Sequence, residues 1–381
     1  MAYLFLSFSK EGILLPMAKK ILVLFGGVST EYLISLRSAY NIISGLRQAG
    51  FHVIRVGIAP SGEWYRFDGS DEDILNDSWL DQARRTAADN IASEPVRSPR
   101  MLVEWLCGCT PDCIFPAVHG INCEDGALQG LLQLTGIPYV GSGVLASAAG
   151  MNKLHAKLVF KQARIPQCRY TFATRNEIHR NVEAVADRVA QKIGYPCFLK
   201  PNNGGSSIGT CRAADRRALI DGLLEVGRFD RIVLIEEFVQ AREIEVAVIG
   251  NDRPRTSVAG EVSTSSQVEY YDYRAKYFMP DGATITIPAE IEPAVAARVR
   301  RLALKAYKAL GCAGLARVDF FLDRQDQRLL INEINTLPGF TPISIYPQAF
   351  AASGLPLDRL LKKLCRLAIE EHRNNSRQEL V

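Results

Sequence analysis

Apolar and polar positions along the chain alternate between two rhythms. The run KILVLFGG (20–27) is apolar almost throughout and stops on two glycines, as a strand buried on both faces does. SLRSAYNIISGLRQAG (35–50) then repeats its apolar residues at helical spacing and ends on glycine, and FHVIRVGIAP (51–60) is apolar again. Strand, helix, strand in that order predicts a parallel α/β layer. PDCIFPAVHG (111–120) reads as a further strand ending at His119-Gly120, EDGALQGLLQLTG (124–136) as a helix and IPYVG (137–141) as a short strand. In open α/β sheets ligands bind beyond the carboxyl ends of strands, where Gly26-Gly27 and His119 fall.

From about Met151 the rhythm changes to an α+β one. A helix (153–163) is followed by a strand, YPCFLKP (195–201), a glycine-rich stretch, NNGGSSIG (202–209), and a strand, RIVLIEEFV (231–239). REIEVAVIGN (242–251) and RTSVAGEV (255–262) alternate as an antiparallel pair, and a polar, tyrosine-rich loop occupies 265–278. EPAVAARVRRLALKAYKALG (292–311) is an amphipathic helix with a glycine stop. VDFFLDRQDQRLLINEINTLPGF (318–340) reads strand, polar turn, strand, then a Pro-Gly break; a last helix covers 356–371 and the tail is frayed. No internal repeat is visible.

A chain of 381 residues exceeds one core, so two or three domains are expected. Boundaries fall at 18–150 for the parallel α/β unit, 151–236 for a central unit, 237–375 for a C-terminal unit and 376–381 for the tail. Residues 1–17 read as an extension or a mis-called start, because Met17 precedes the first buried strand directly and Lys10-Glu11 interrupts the apolar run that a signal peptide needs. The net charge of +4 is mixed along the chain, without the basic stripe of a nucleic-acid binder. Nine cysteines at irregular spacing fit a reduced, cytoplasmic chain, and no apolar run is long enough to span a membrane.

Candidate chemistry gathers in the quoted hairpin. Asp319, Glu333 and Asn335 sit inside strongly apolar runs, where an unpaired charge is costly. Glu333 and Asn335 are two apart on a strand and share a face, and oxygen donors of this kind suit Mg2+ beside phosphates. The backbone N–H groups and hydroxyls of GGSSIG (204–209) can hold anionic oxygens, with Lys200 ending the strand just before. Neither GxxxxGK[ST] nor a GxGxxG after a strand occurs, so a P-loop and a dinucleotide fold are unsupported. WLCGCTPDC (105–113) lacks a fourth zinc ligand and reads as buried thiols. Of five histidines only His119 stands at a strand end.

Taken together, LFGGVSTE, FPAVHGINCEDGALQGLLQLTGIPYVG, MNK, FLKPNNGGSSIG, REIEVAVIGN, YYDYRAKY, RVDFFL and INEINTLPGFT resemble the D-alanine–D-alanine ligase family of the ATP-grasp superfamily, collinearly from about residue 18 to 371. The resemblance implies a three-domain ATP-grasp fold with ATP between the central and C-terminal units. It implies ligation of D-alanine to a second D-amino acid through an acyl phosphate, for peptidoglycan precursors. Asp319, Glu333 and Asn335 match holders of two Mg2+ (or Mn2+) ions. Lys153, Lys200 and Ser207 match phosphate contacts and Lys276 a loop lysine at the γ-phosphate. Glu236, Glu237, Val239 and Glu243 match the hinge at adenine and ribose. Arg317 and the Gly339 N–H match stabilisers of the tetrahedral oxyanion. Glu31 matches the acid that receives the first substrate's ammonium, Ser206 and Tyr277 match its hydrogen-bonded partners, His119 matches a histidine near the first D-alanine's carboxylate, and Ser344 and Ile345 match the second subsite. The family pattern also implies a homodimer formed through N-terminal domains.

GIAPSGEWYRFDG (57–69) is similar to the subgroup holding D-Ala–D-Ser ligases, and Tyr277 implies an amine nucleophile rather than D-lactate. Departures from the family pattern are Leu33, Cys123, Asn152, Asn202-Asn203-Gly204 and Ile343, gathered toward the substrate end. A D-Ala–D-Ser ligase, a dipeptide ligase of an antibiotic pathway, and a non-catalytic nucleotide-binding protein are the alternatives.

Overall fold

The computed structural model describes residues 6–8, 14–16, 18–88, 97–264 and 283–375. The loop with Lys276 and Tyr277, the tail 376–381 and most of 1–17 lie outside the described residues; Leu6–Phe8 and Leu14–Pro16 pair as a short antiparallel ladder.

Three further sheets organise the chain. The first has the order Trp64–Arg66, His52–Ile58, Lys20–Gly26, Cys113–Pro116; the last three run parallel and Trp64–Arg66 is antiparallel. Lys20–Gly26 is buried from Ile21 onward because helices cover both faces. Ile21, Val23 and Phe25 face Leu36, Ile43 and Leu46 of helix Tyr32–Gln48, and Leu22 and Leu24 face Leu106, Leu128 and Leu132 on the other side. The strand predicted over 111–120 keeps its ladder only to Pro116, so Val118, His119 and Gly120 leave the sheet ahead of a turn at 121–123. The strand predicted over 137–141 reduces to a single bridge between Ile114 and Tyr139. Pro138 has no N–H to donate, and Gly141, with φ +122, turns the chain away.

The second sheet is antiparallel, in the order Tyr170–Thr174, Ile232–Glu237, Cys197–Pro201, Cys211–Ala213. Helices Arg175–Lys192, broken at Asn181, and Arg216–Val226 cover one face. Sequence periodicity left the strand Tyr170–Thr174 and both helices unassigned, although Thr174 with Glu177 forms a capping box.

The third sheet is antiparallel, in the order Ala283–Thr286, Arg255–Thr264, Ala241–Ile249, Leu315–Asp323, Leu329–Asn335. Its strands alternate between faces except at two register shifts. Val246, Val248, Val318, Phe320 and Ile331 pack on helix Pro293–Leu310, which starts on proline and stops at Gly311 in the left-handed region. Glu245, Arg317, Asp319 and Phe321 therefore point to the opposite face. Helix Lys153–Gln162 precedes the second sheet in the chain yet packs Ala156 and Phe160 into the third sheet's core. Helix Leu357–Asn375 closes over helix Tyr32–Gln48, so Leu360 and Leu364 share one core with Phe25, Ile249 and Tyr346. That shared core joins the first sheet to the third.

Candidate active site

A cleft of about 310 Å³ separates the second and third sheets. Phe198, Phe321 and Val262 give it apolar walls, and the glycine-rich segment 204–208 forms its rim. Ten of the residues singled out from the sequence line it: Lys153, Lys200, Ser206, Ser207, Glu236, Glu237, Val239, Glu243, Asp319 and Glu333.

The acidic floor follows from strand register. Glu245, Asp319 and Glu333 face one another across three adjacent strands. The register slips by one residue after Asp319, so Asn332 is the extra residue of a β-bulge. A bulge places two consecutive side chains on one face, and both Asn332 and Glu333 reach the cleft. Arg317 is bidentate on Asp319 at 2.8 and 2.7 Å, and its Nε is 2.8 Å from Glu245. Asn335 donates to Asp319 at 3.0 Å. Among the described residues no cluster of three or more His, Cys, Asp or Glu side chains forms a ready metal cage. Two facing carboxylates with an amide are still an oxygen-only set, which fits a hard cation whose remaining ligands are phosphate oxygens and water.

Behind the floor lies a buried ion triad. Glu236, 2 % exposed, contacts Lys157 through one carboxylate oxygen and Lys200 through the other at 2.7 Å. Burial pushes the Glu236 carboxyl up, but the two ammonium groups outweigh it and the net shift is downward. Burial likewise pulls Lys200 down, and Glu236 reverses this, so the ammonium is held above its ordinary range. Lys200 also donates to Asn332 at 2.9 Å, which joins the two sheets. Glu237 also lines the cleft, and its carboxylate accepts from the Arg169 side chain at 3.0 Å.

Lys153 stands at the first turn of its helix and donates to the Gly204 carbonyl at 2.6 Å. It is 3.8 Å from Glu333. Asn152 caps this helix, accepting from His155 N–H at 3.0 Å, and donates its amide to Asn203 at 3.0 Å. Asn202 accepts from Leu154 N–H at 2.8 Å. Two of the departures from the family pattern thus bond to each other.

Ser206 and Ser207 both have left-handed backbones, φ +51 and +55, an uncommon state for residues with a side chain. The Ser206 hydroxyl donates to Glu31, which begins helix Tyr32–Gln48 in the first unit and is 8 % exposed. The rim of the cleft is thereby tied to the first sheet. Gly120, φ +81, packs so closely that an added Cβ would be 2.4 Å from Ser29 Oγ and 2.5 Å from Glu31.

His119 is buried beside this group. Its Nδ1 lies 3.2 Å from the Leu337 carbonyl and 3.4 Å from Glu124, and its Nε2 is 3.0 Å from Ser38 Oγ. Burial opposes the imidazolium, but Glu124 holds the pKa above its ordinary value. Gly339 follows on the third unit; a Cβ there would be 3.0 Å from Ser344 Oγ, which accepts from Thr341 N–H at 3.0 Å. The Ile345 side chain is 3 % exposed and turned into the core, so no side-chain contact to a ligand is available to it there. Leu33 and Ile343 are exposed, and Cys123 is buried with its thiol pushed up to about 12 by burial and the neighbouring acids. Cys107 and Cys113 are buried free thiols and Cys109 is half-buried.

Sequence reasoning missed Lys157, Asn332 and Glu245. Lys157 is four residues after Lys153 and shares its helix face; Glu245 is two after Glu243 and shares its strand face. Consecutive polar residues Asn332-Glu333 inside a strand were a readable bulge signal.

Comparison with known proteins identifies this arrangement. The family model described as D-ala D-ala ligase N-terminus matches residues 20–142, and the one described as D-ala D-ala ligase C-terminus matches 159–366. The chain is 42 % identical over 382 residues to a D-alanine--D-alanine ligase of Acetivibrio thermocellus, covering 94 % of this chain and 98 % of that protein. It is 40 % identical over 369 residues to a protein of the same name from Ruminiclostridium cellulolyticum, covering 94 % and 98 %. Among solved structures it is similar to the D-alanine-D-alanine ligase of Coxiella burnetii, with TM-score 0.77, 35 % identity and coverage of 93 % and 96 %. VanG D-Ala:D-Ser ligase of Enterococcus faecalis gives TM-score 0.80 at 35 % identity, covering 92 % of this chain and all of that one. With both family models matched in order and most of each relative covered, the chain belongs to the D-alanine–D-alanine ligase family.

Proposed function

We propose that the chain uses ATP to join the carboxylate of one D-alanine to the amine of a second D-amino acid, D-alanine first among them. A carboxylate is a poor electrophile. One of its oxygens attacks the γ-phosphorus, the bond to ADP breaks, and the acyl phosphate formed carries a good leaving group. The second amine, having lost a proton, attacks the carbonyl carbon, and the C–O bond to phosphate breaks from the tetrahedral adduct. Positioning and charge stabilisation do the work, without a covalent enzyme intermediate.

The residues divide accordingly. The apolar slot between Phe198 and Phe321 takes the base, with the backbone at Glu237 and Val239 beside it and Glu243 at the sugar. Lys153, Lys200 and Ser207 take phosphate oxygens, and Asp319, Glu333 and Asn335 would hold two Mg2+ or Mn2+ ions, which neutralise phosphate charge when bound. Glu31 receives the first ammonium, with Ser206 as its hydrogen-bonded partner and Tyr277 as a second from the sequence pattern. His119 sits by the first carboxylate. Arg317 and the Gly339 N–H meet the developing oxyanion, Lys276 the γ-phosphate, and Ser344 with the backbone of Ile345 borders the second amino acid. The same reading places the enzyme in the cytoplasm as a homodimer serving peptidoglycan precursors.

One observation carries the proposal: the Ser206–Glu31 bond brings a buried carboxylate, suited to an ammonium, to the rim of the cleft that holds Lys153, Lys200, Asp319 and Glu333. Phosphate release with D-alanine, L-alanine and D-alanine plus D-serine, with products identified by mass, tests it. D-alanine-dependent ADP formation with a D-Ala-D-Ala product is expected. Nucleotide turnover indifferent to any D-amino acid would refute the reading, and preferential mixed dipeptide at neutral pH would move the second substrate to D-serine.

A further inference from the structure

The geometry points to Ser38 and Asn41 as positioning residues that set the oxyanion side of the reaction from the first unit of the chain; this rests on the ligase reading above. Ser38 Oγ, fully buried, accepts from the Phe340 N–H at 3.2 Å, and Asn41 Nδ2 donates to the Phe340 carbonyl at 2.9 Å. On the other side of the turn, the Leu337 carbonyl lies 3.2 Å from His119 Nδ1. The Leu337–Pro338 and Gly339–Phe340 peptides are therefore each held, and the Pro338–Gly339 peptide between them is bracketed. Proline fixes its own φ but not its ψ, so the setting of the Gly339 N–H depends on the anchored peptides at either side.

The proton count closes around the same residues. His119 Nδ1 faces only acceptors, Leu337 O and Glu124, and so carries a hydrogen. Ser38 Oγ already accepts from Phe340, which leaves its hydroxyl hydrogen for His119 Nε2 at 3.0 Å when the ring is neutral. Ser38 thus braces both flanks of the turn, one directly and one through His119.

Glu31 begins the same helix, Tyr32–Gln48. Ser38 and Asn41 lie about 10–15 Å along its axis at a rise of about 1.5 Å per residue. One rigid element then fixes the spacing between the ammonium receptor and the turn that meets the oxyanion.

Ser38→Ala, Asn41→Leu and the double variant of the full chain test this, with kcat and KM measured for ATP and D-alanine. Removing an oxyanion donor outright costs about 10²–10³ in kcat. Loosening its support is expected to cost about tenfold in Ser38→Ala and severalfold in Asn41→Leu, with the KM for ATP within about twofold of the parent. The double variant should lose less than the product of the two, because both brace one residue. Asn41 is only partly buried, so Asn41→Leu carries the test if Ser38→Ala does not fold. Unchanged kcat in folded variants, or a kcat loss matched by an equal rise in the KM for ATP, would overturn the proposal. A parent without D-alanine-dependent turnover would overturn the ligase reading instead, and this inference with it.

Discussion

Replacing Glu236 by glutamine probes the triad on which the cleft is built. The carboxylate is 2 % exposed and balances two ammonium groups whose side chains are 3 % and 11 % exposed. Glutamine keeps the shape and removes the charge, leaving Lys157 and Lys200 buried against each other. Breaking a buried pair by removing one partner costs about 3–5 kcal/mol. The pKa gives a similar figure: a drop from 4.5 to about 2 is worth roughly 3 kcal/mol. The folded pKa lies below the unfolded one, so this stability is present above pH 4.5 and is lost as pH falls toward about 2. For a chain of this size each kcal/mol moves the melting temperature by about 2 °C, so Glu236→Gln should melt about 6–10 °C below the parent at pH 7.5. Lys157→Met retains the 2.7 Å pair of Glu236 with Lys200 and loses an ammonium that also lies over the Tyr170 ring; about 2 °C is expected. Thermal unfolding followed by circular dichroism without nucleotide measures both, and the gap between Glu236→Gln and parent should narrow below pH 4.5. A Glu236→Gln protein melting within a degree of the parent, or a Lys157→Met protein that loses more, would refute the charge balance drawn here.

Glu333→Gln should lower turnover at millimolar Mg2+ by at least about 10³-fold while leaving the unfolding curve in place; wild-type rates at that Mg2+ concentration would remove Glu333 from the metal set. Arg317→Lys breaks the bidentate bond to Asp319 and the contact with Glu245, and kcat should fall about a hundredfold, read in steady state; a change under threefold would show that the fork is dispensable. In Gly120→Ala the new methyl meets Ser29 and Glu31, so the KM for D-alanine should rise about tenfold or more while nucleotide affinity, measured by calorimetry, stays put; the reverse pattern would misplace Glu31. Asn152→Asp keeps the helix cap and loses the bond to Asn203, and about 1 kcal/mol of stability should go with it in denaturant unfolding, where no loss would make that bond ornamental.

How far the sequence could be read depended on how local each signal was. The strand Lys20–Gly26, the helix Pro293–Leu310 and the hairpin Leu315–Asn335 announce themselves through uniform apolar runs, a proline start with a glycine stop, and period-two alternation. Helices Arg175–Lys192 and Arg216–Val226 were passed over because their apolar stripes are interrupted by charge, and each contributes only a few residues to a small core. What sequence could not supply was the non-local pairing. Lys200 and Asn332 are 132 positions apart, Ser206 and Glu31 175, and Ser38 and Phe340 302, yet each pair is in contact. The departures from the family pattern show the same limit from the other side. Read singly, Asn152 in place of an acid and Asn203 in the glycine-rich segment each look like a loss. An aspartate at 152 could cap the helix but could not donate to the side-chain amide oxygen of Asn203, and Asn203 in turn donates to Asp230 at 2.9 Å. The two changes make sense only as a pair, because their bond is one of several, with Lys153 to the Gly204 carbonyl and Leu154 N–H to Asn202, by which the helix that carries Lys153 meets the segment that covers the cleft.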